Sequence, residues 1–261
     1  MGGYDGYPEG APCWADATLP DLAAGKRFYG ALLGWTFDDD ADAAYGYYTN
    51  AYSEGKRVAA LVPKRDGRMP TAWGVYFATP DAAGLAVRIT QAGGRLLTGP
   101  VAVGPFGTAA VAADPDGAVF GLWQAGSHTG FERTGEPGSF CWAEVYVRDA
   151  ARADAFYESV FGFEGDDLDG TDGDFRTWSP AGAAPGPDTA FGGRALMGDT
   201  FPPEMPAHFL VYFAVADCDA TAAACVELGG RLKAEPFDIA YGRMAVLHDD
   251  QGASFAVLQR D

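Results

Sequence analysis

Two carboxylates hold the positions best suited to chemistry. Asp16 and Glu144 each stand two residues after a tryptophan, in Cys13-Trp14-Ala15-Asp16 and Cys141-Trp142-Ala143-Glu144. Residues at i and i+2 of a strand share a face, so each carboxylate lies beside an indole. A carboxylate in an apolar strand must be solvated or paired, because an unpaired buried charge is costly. Desolvation by the indoles raises its pKa, which suits a general acid or base. His208 precedes the apolar run Phe209 to Val215 and is a candidate proton relay. Arg194 and Arg243 are candidates to pair with the carboxylates or to hold an anionic ligand, and His128 is expected to face solvent. The four cysteines, Cys13, Cys141, Cys218 and Cys225, form no Cys-x-x-Cys and no Cys/His group with zinc spacing. They read as small buried hydrophobes.

The two carboxylates belong to a duplication. Cys13 and Cys141, Trp14 and Trp142, Phe28 and Phe156, Tyr29 and Tyr157 all pair at one offset of 128. Two modules are expected, residues 11–125 and 139–260, joined by a linker at 126–138 that is rich in Gly, Ser and Thr. Each is long enough to bury a core.

The same elements recur in both. Trp14 to Thr18 reads as a strand. Asp21 caps a helix from Leu22 to Leu33, which Gly34 ends. Aromatic, alternating stretches at Tyr45 to Tyr52 and Arg57 to Val62 read as strands. Trp73 to Thr79 is a strand, Asp81 caps a helix to about Gln91, and Gly93-Gly94 closes it. Strands at Thr108 to Ala112 and Ala118 to Gln124 flank the turn Asp114-Pro115-Asp116-Gly117. The second copy repeats the order through Trp142 to Val147, helices at Ala150 to Val160 and Asp219 to Leu228, and the turn Asp249-Asp250-Gln251-Gly252.

The formal charge is −18, from 36 acidic and 18 basic side chains. That disfavours nucleic acid and anionic membrane surfaces, both of which need Lys and Arg. No apolar run reaches the length of a membrane span. A cytoplasmic protein is expected, a monomer or homodimer with a small-molecule partner.

The Asp21-Leu22…Phe28-Tyr29 pattern, Leu33-Gly34, Gly93-Gly94 and Asp114-Pro115-Asp116-Gly117 together resemble the vicinal oxygen chelate superfamily, which includes glyoxalases, extradiol dioxygenases and bleomycin-resistance proteins. The resemblance covers nearly the whole chain. It implies an α+β fold of two tandem βαβββ modules forming an eight-stranded cup-shaped sheet with helices outside and a ligand in the cup. In metal-dependent members, ligands come from the opening strands, the strand before the second helix and the last strand. Those positions here are Trp14 and Trp142, Gly74 and Leu210, and Gly121 and Ala256. None offers an oxygen, sulfur or imidazole ligand, so neither a metal nor another cofactor is expected.

Strand parity then places Trp14, Trp142, Trp123, Tyr76 and Tyr212 on one face with the two carboxylates and His208, and with the small residues Gly74, Gly121 and Ala256 leaving room between them. This describes an aromatic pocket with few polar anchors. Three readings follow. The first is a metal-independent binding protein of the glyoxalase/bleomycin-resistance type, holding an aromatic or polycyclic metabolite of secondary metabolism or resistance, with the acidic surface compatible with a cationic one. The second is an isomerase, cyclase or accessory hydroxylation enzyme, with Asp16, Glu144 or His208 moving a proton and Tyr76 or Tyr212 stabilising an enolate. The third is a metalloenzyme with relocated ligands.

Overall fold

The computed structural model describes residues 6–39, 41–168, 174–199 and 201–260. Four βαβββ units follow one another. The first is β1 (Pro12–Leu19), α1 (Leu22–Leu33), β2 (Thr36–Phe37), β3 (Thr49–Ser53) and β4 (Lys56–Pro63). The second is β5 (Ala72–Ala78), α2 (Ala82–Gln91), β6 (Arg95–Val103), β7 (Gly107–Ala113) and β8 (Val119–Ala125). The third is β9 (Phe140–Val147), α3 (Ala150–Phe161), β10 (Glu164–Asp167), β11 (Phe175–Ser179) and β12 (Gly192–Leu196). The fourth is β13 (His208–Ala214), α4 (Cys218–Glu227), β14 (Arg231–Ile239), β15 (Gly242–His248) and β16 (Ser254–Gln259).

The α+β class and the tandem organisation stand, with a finer grain than expected. Each sequence module holds two βαβββ units and carries an eight-stranded sheet of its own. The strand orders are β2-β3-β4-β1-β5-β8-β7-β6 and β10-β11-β12-β9-β13-β16-β15-β14. The single shared sheet of the expectation is therefore two sheets. The strands that complete the count, β6, β14 and β10, lie at sheet edges, and little alternation marks β6 and β10. β6 and β14 contain Pro100 and Pro236 and shift register twice each.

All four helices start alike. Asp21, Asp81, Asp149 and Asp217 are extended N-caps whose carboxylates accept the backbone N–H three residues on. Gly34 and Gly162 end α1 and α3 in the left-handed region. At the Gly93-Gly94 stop the two glycines have separate causes. Gly93 has φ +90°, and a Cβ on Gly94 would stand 2.9 Å from both the Ala113 carbonyl and the Phe156 ring.

The described chain packs as two compact units that do not follow the sequence modules. One gathers residues through Cys13, Val75–Gly130 and Ala143–Phe209, which is essentially the second and third βαβββ units. The other gathers Trp14–Gly74, Phe131–Trp142 and the chain from Leu210 on, the first and fourth. In each, one face of every strand set meets the helices. Cys13, Ala15, Ala17 and Leu19 of β1 are fully or almost fully buried on that face.

Each compact unit is fastened by the same buried bond. Tyr29 of α1 donates its hydroxyl to Asp249 Oδ2 at 2.8 Å, and Tyr157 of α3 donates to Asp114 Oδ2 at 3.0 Å. The second oxygen of each aspartate is also used: Asp249 Oδ1 accepts from the Gln251 and Ala253 N–H groups, and Asp114 Oδ1 from Asp116 and Ala118. Trp73 Nε1 donates to Tyr29 Oη at 2.9 Å. Both tyrosines are fully buried, and burial first, then the facing aspartate, holds their pKa values far above the ordinary 10. They therefore stay protonated and remain donors. The Phe-Tyr pair and the Asp-x-x-Gly turn thus meet across different βαβββ units and serve architecture.

Replacing Tyr157 by Phe leaves Asp114 Oδ2 buried without its donor. The expected loss is about 1–3 kcal/mol of stability, read as a lower urea midpoint with an unchanged slope. Tyr29→Phe should behave alike, and neither change should alter ligand affinity at temperatures where the protein stays folded.

Candidate functional site

The candidate residues lie on the strand faces turned away from the helices, and they divide between the two compact units. In the unit built from the first and fourth βαβββ units, Trp14 and Asp16 of β1 are side by side. A tyrosine outside the expected set joins them. Trp14 Nε1 donates to Tyr48 Oη at 2.6 Å, and Tyr48 Oη donates to Asp16 Oδ2 at 3.1 Å. The indole also lies 5.4 Å from the Phe131 ring. Trp14 and Asp16 are 3% and 7% exposed, so the carboxylate is almost wholly withdrawn from water. Its burial is sustained by the hydroxyl. Gly74 flanks it: a Cβ there would sit 3.5 Å from Asp16 Oδ1. On the same face, Asp38 accepts from the Asn50 N–H, the Asn50 amide and the Tyr52 hydroxyl. Burial, then Asp38, pushes the Tyr52 phenol up to about 12.

The third βαβββ unit holds the matching position differently. Asp16 is in register with Ala60 and Asn50, and Glu144 with Gly193 and Thr177. Two residues before Thr177, where Tyr48 precedes Asn50, stands Phe175. Its ring lies over Gly193, with Cζ 3.2 Å from where a Cβ would be. Phenylalanine has no hydroxyl, so the bond that Tyr48 gives Asp16 has no counterpart from Phe175. Glu144, 8% exposed, shares its face with Tyr146. That ring stacks on His208 at 5.3 Å and 8°, and Phe201 meets its ring at 5.6 Å. His208 Nδ1 is 2.9 Å from the Pro206 carbonyl. The carbonyl can only accept, so Nδ1 carries the proton.

The room expected at Gly121 is filled. A Cβ there would fall 2.1 Å from Tyr76 Cδ1, and the two residues are register partners. Gly121 is the gap into which Tyr76 lays its ring. Tyr212 and Ala256 are the equivalent partners, and with Leu210 they are almost fully buried. Trp142 is half-buried. Trp123 donates to the His128 carbonyl at 2.8 Å and its ring packs edge-on against the imidazole, so His128 is partly covered by Trp123. The arginines also differ from expectation. Arg194 is buried on the helix side of its sheet, paired with Asp154 of α3 at 3.0 Å, and Arg243 pairs with Asp219 and Asp238. Both are structural. All four cysteines are free and buried. Burial pushes the Cys141 thiol up to about 12 and Cys13 higher still, which disarms them as nucleophiles.

The model of the Glyoxalase/Bleomycin resistance protein/Dioxygenase superfamily matches residues 14–122 and 139–257. The chain belongs to this superfamily. Two curated relatives cover it almost end to end. The anthracycline biosynthesis protein DauV of Streptomyces sp. (strain C5) is 38% identical, with 97% of this chain and 94% of the relative aligned. The putative glyoxylase CFP32 of Mycobacterium bovis is 37% identical over 97% of this chain and 96% of its own. Two solved structures share the fold at low identity. The 2,3-dioxygenase LapB from Pseudomonas sp. KL28 has a TM-score of 0.66 at 13% identity, covering 96% of this chain and 93% of its own. A Mn(II)-bound glyoxalase from Novosphingobium aromaticivorans has 0.63 at 15%, covering 96% and 82%.

At the positions that bear ligands in the superfamily's metal-dependent members, the residues do not fit a metal. Trp14, Trp142, Gly74, Leu210, Gly121 and Ala256 supply no lone pair from a side chain. An indole N–H only donates, and Trp14 already donates to Tyr48. The volume a ligand at Gly121 would use belongs to Tyr76. Among the described residues no three His, Cys, Asp or Glu side chains converge as a metal site. Nor is any described helix long and apolar enough to cross a membrane.

Two residues of this surface escaped the sequence reading. Tyr146 obeys the same i+2 rule that singled out Glu144 and was available to it. Tyr48 precedes its strand, and only the fold brings it to Asp16.

The Tyr76–Gly121 packing is directly testable. Gly121→Ala should destabilise by about 1–3 kcal/mol through overpacking. Adding Tyr76→Ala should recover part of that loss in a thermal melt, because the added methyl then occupies vacated space. Additive losses in the double variant would contradict the packing.

Proposed function

We propose that this protein binds a planar, polycyclic aromatic metabolite without the aid of a metal, in a secondary-metabolite pathway. The observation that carries the reading is the Trp14–Tyr48–Asp16 chain. The indole, 3% exposed beside Phe131, supplies the apolar wall against which a ligand admitted by a shift of its neighbours would lie. A withdrawn carboxylate, fixed by a phenol, supplies one oriented acceptor in a low-dielectric setting. The naming of DauV, and of the similarly related DnrV of Streptomyces peucetius, as anthracycline biosynthesis proteins supports a ligand of fused aromatic rings. The formal charge of −18 favours cationic substituents on it. The protein acts from the cytoplasm on this reading.

A second reading has specific support. A carboxylate two residues from an indole and hydrogen-bonded to a phenol is equipped to take a proton from an acidic C–H or phenol, the carboxylate becoming neutral as the substrate takes up the negative charge. Glu144, near Tyr146 and His208, is the corresponding group of the other copy.

Titration of the tryptophan fluorescence with an anthraquinone tests the first reading. Saturable quenching is expected, weakened about tenfold, or ~1.4 kcal/mol, by Trp14→Ala. A flat response across a panel of planar aromatics would contradict it. Asp16→Asn separates the two readings: lost turnover with retained quenching assigns proton transfer to Asp16, whereas unchanged turnover removes that role.

A further inference from the structure

The fourth βαβββ unit carries a basic corner that neither the binding reading nor the architecture uses. Arg231 of β14 is in register with His248 of β15, which is in register with Ser254 of β16. The sidedness is fixed by neighbours. Arg243 pairs with Asp219 of α4 and Gln259 accepts the Cys218 N–H, so that alternation faces the helix. His248 and Ser254 have the opposite parity and face away. Lys233 stands at the register shift between Leu232 and Ala234 and is exposed. Desolvation lowers its pKa. The half-buried His248 has its pKa lowered first by desolvation, then by Lys233 and Arg231.

Three features separate this corner from an ordinary surface. First, no described carboxylate forms an ion pair with Arg231 or Lys233, in a chain with 36 acidic and 18 basic side chains. Second, Asp249 is committed elsewhere, with its carboxylate taking Tyr29, Gln251 and Ala253. Third, the second βαβββ unit holds the same register with different chemistry. Arg95, Ala113 and Val119 are its partners across β6, β7 and β8, and Leu97 takes the place of Lys233. Between the copies, Leu, Ala and Val stand against Lys, His and Ser. Lys233 and Arg231 act on His248 against the opposing charge of Asp249, and an anion between the two cations would relieve their mutual repulsion.

We propose that Arg231, Lys233, His248 and Ser254 form an anion site that takes the carboxylate or phosphate of a small soluble metabolite. The guanidinium and ammonium supply charge, and the imidazole and hydroxyl supply oriented donors. This site stands independently of the aromatic binding reading.

The chain has three histidines, so the His248 imidazole resonance can be assigned by its loss in His248→Gln. Titrating the full chain with inorganic phosphate, and separately with benzoate, at matched ionic strength should move that resonance saturably and raise the His248 pKa. The probe that acts names the class, phosphate for a phosphorylated metabolite and benzoate for an aromatic acid. Lys233→Met, at an exposed position, should weaken the effect at least tenfold while leaving the His128 and His208 resonances in place. No saturable movement with either probe, or movement unchanged in Lys233→Met, would overturn the site.

Discussion

A buried tyrosine hydroxyl bound to a buried aspartate, made twice, is the constraint on which the rest depends. Each bond runs between a helix of one βαβββ unit and a turn of another. Tyr29 in the first reaches Asp249 in the fourth, and Tyr157 in the third reaches Asp114 in the second. An aspartate in such a place is tolerable only with its lone pairs occupied, and each is filled by one phenol and two backbone N–H groups. Removing any donor exposes a charge to a medium that cannot solvate it. The turn and the helix are therefore specified jointly, and with them the strands that bear the candidate site.

This explains why the most recognisable residues say so much about fold and so little about activity. The Phe-Tyr pairs and the Asp-x-x-Gly turns are spent on assembly. They were legible because buried polar bonds restrict residue type severely. The duplication, the four helices with their aspartate caps and most strands were legible for similar reasons. The edge strands β6 and β14 were not. β6 is exposed along most of its length and lacks the alternation that marks a half-buried strand, whereas β14 alternates polar and apolar residues from Arg231 to Glu235; both are interrupted by a proline, Pro100 or Pro236, and shifted in register. The doubling of βαβββ units within each module was missed with them.

The candidate site was legible by parity and opaque by packing. Alternation put Trp14, Asp16, Trp142 and Glu144 on the helix-free faces. It could not show that Gly121 accommodates Tyr76, nor that Tyr48 supports Asp16, because both depend on contacts between strands. It also misassigned Arg194 and Arg243, whose partners Asp154 and Asp219 lie on helices across the other face. The two copies have diverged along these lines. Where Tyr48 reaches Asp16 in one copy, Phe175 stands over Gly193 in the other, and where the fourth unit has Lys233, His248 and Ser254 the second has Leu97, Ala113 and Val119. Duplication supplied two equal surfaces, and substitution within fixed registers made them chemically different.

On the proposed function, ligand chemistry lies around Asp16 rather than at the superfamily's usual metal positions. A crystal structure of the protein with a bound anthraquinone tests this most directly. Aromatic density is expected against the Trp14 indole, with a polar atom within hydrogen-bond distance of Asp16. Density confined to the open hollow beside the start of α1, lined by Pro20, Asp21, Lys26, Tyr47 and Pro63, would contradict it.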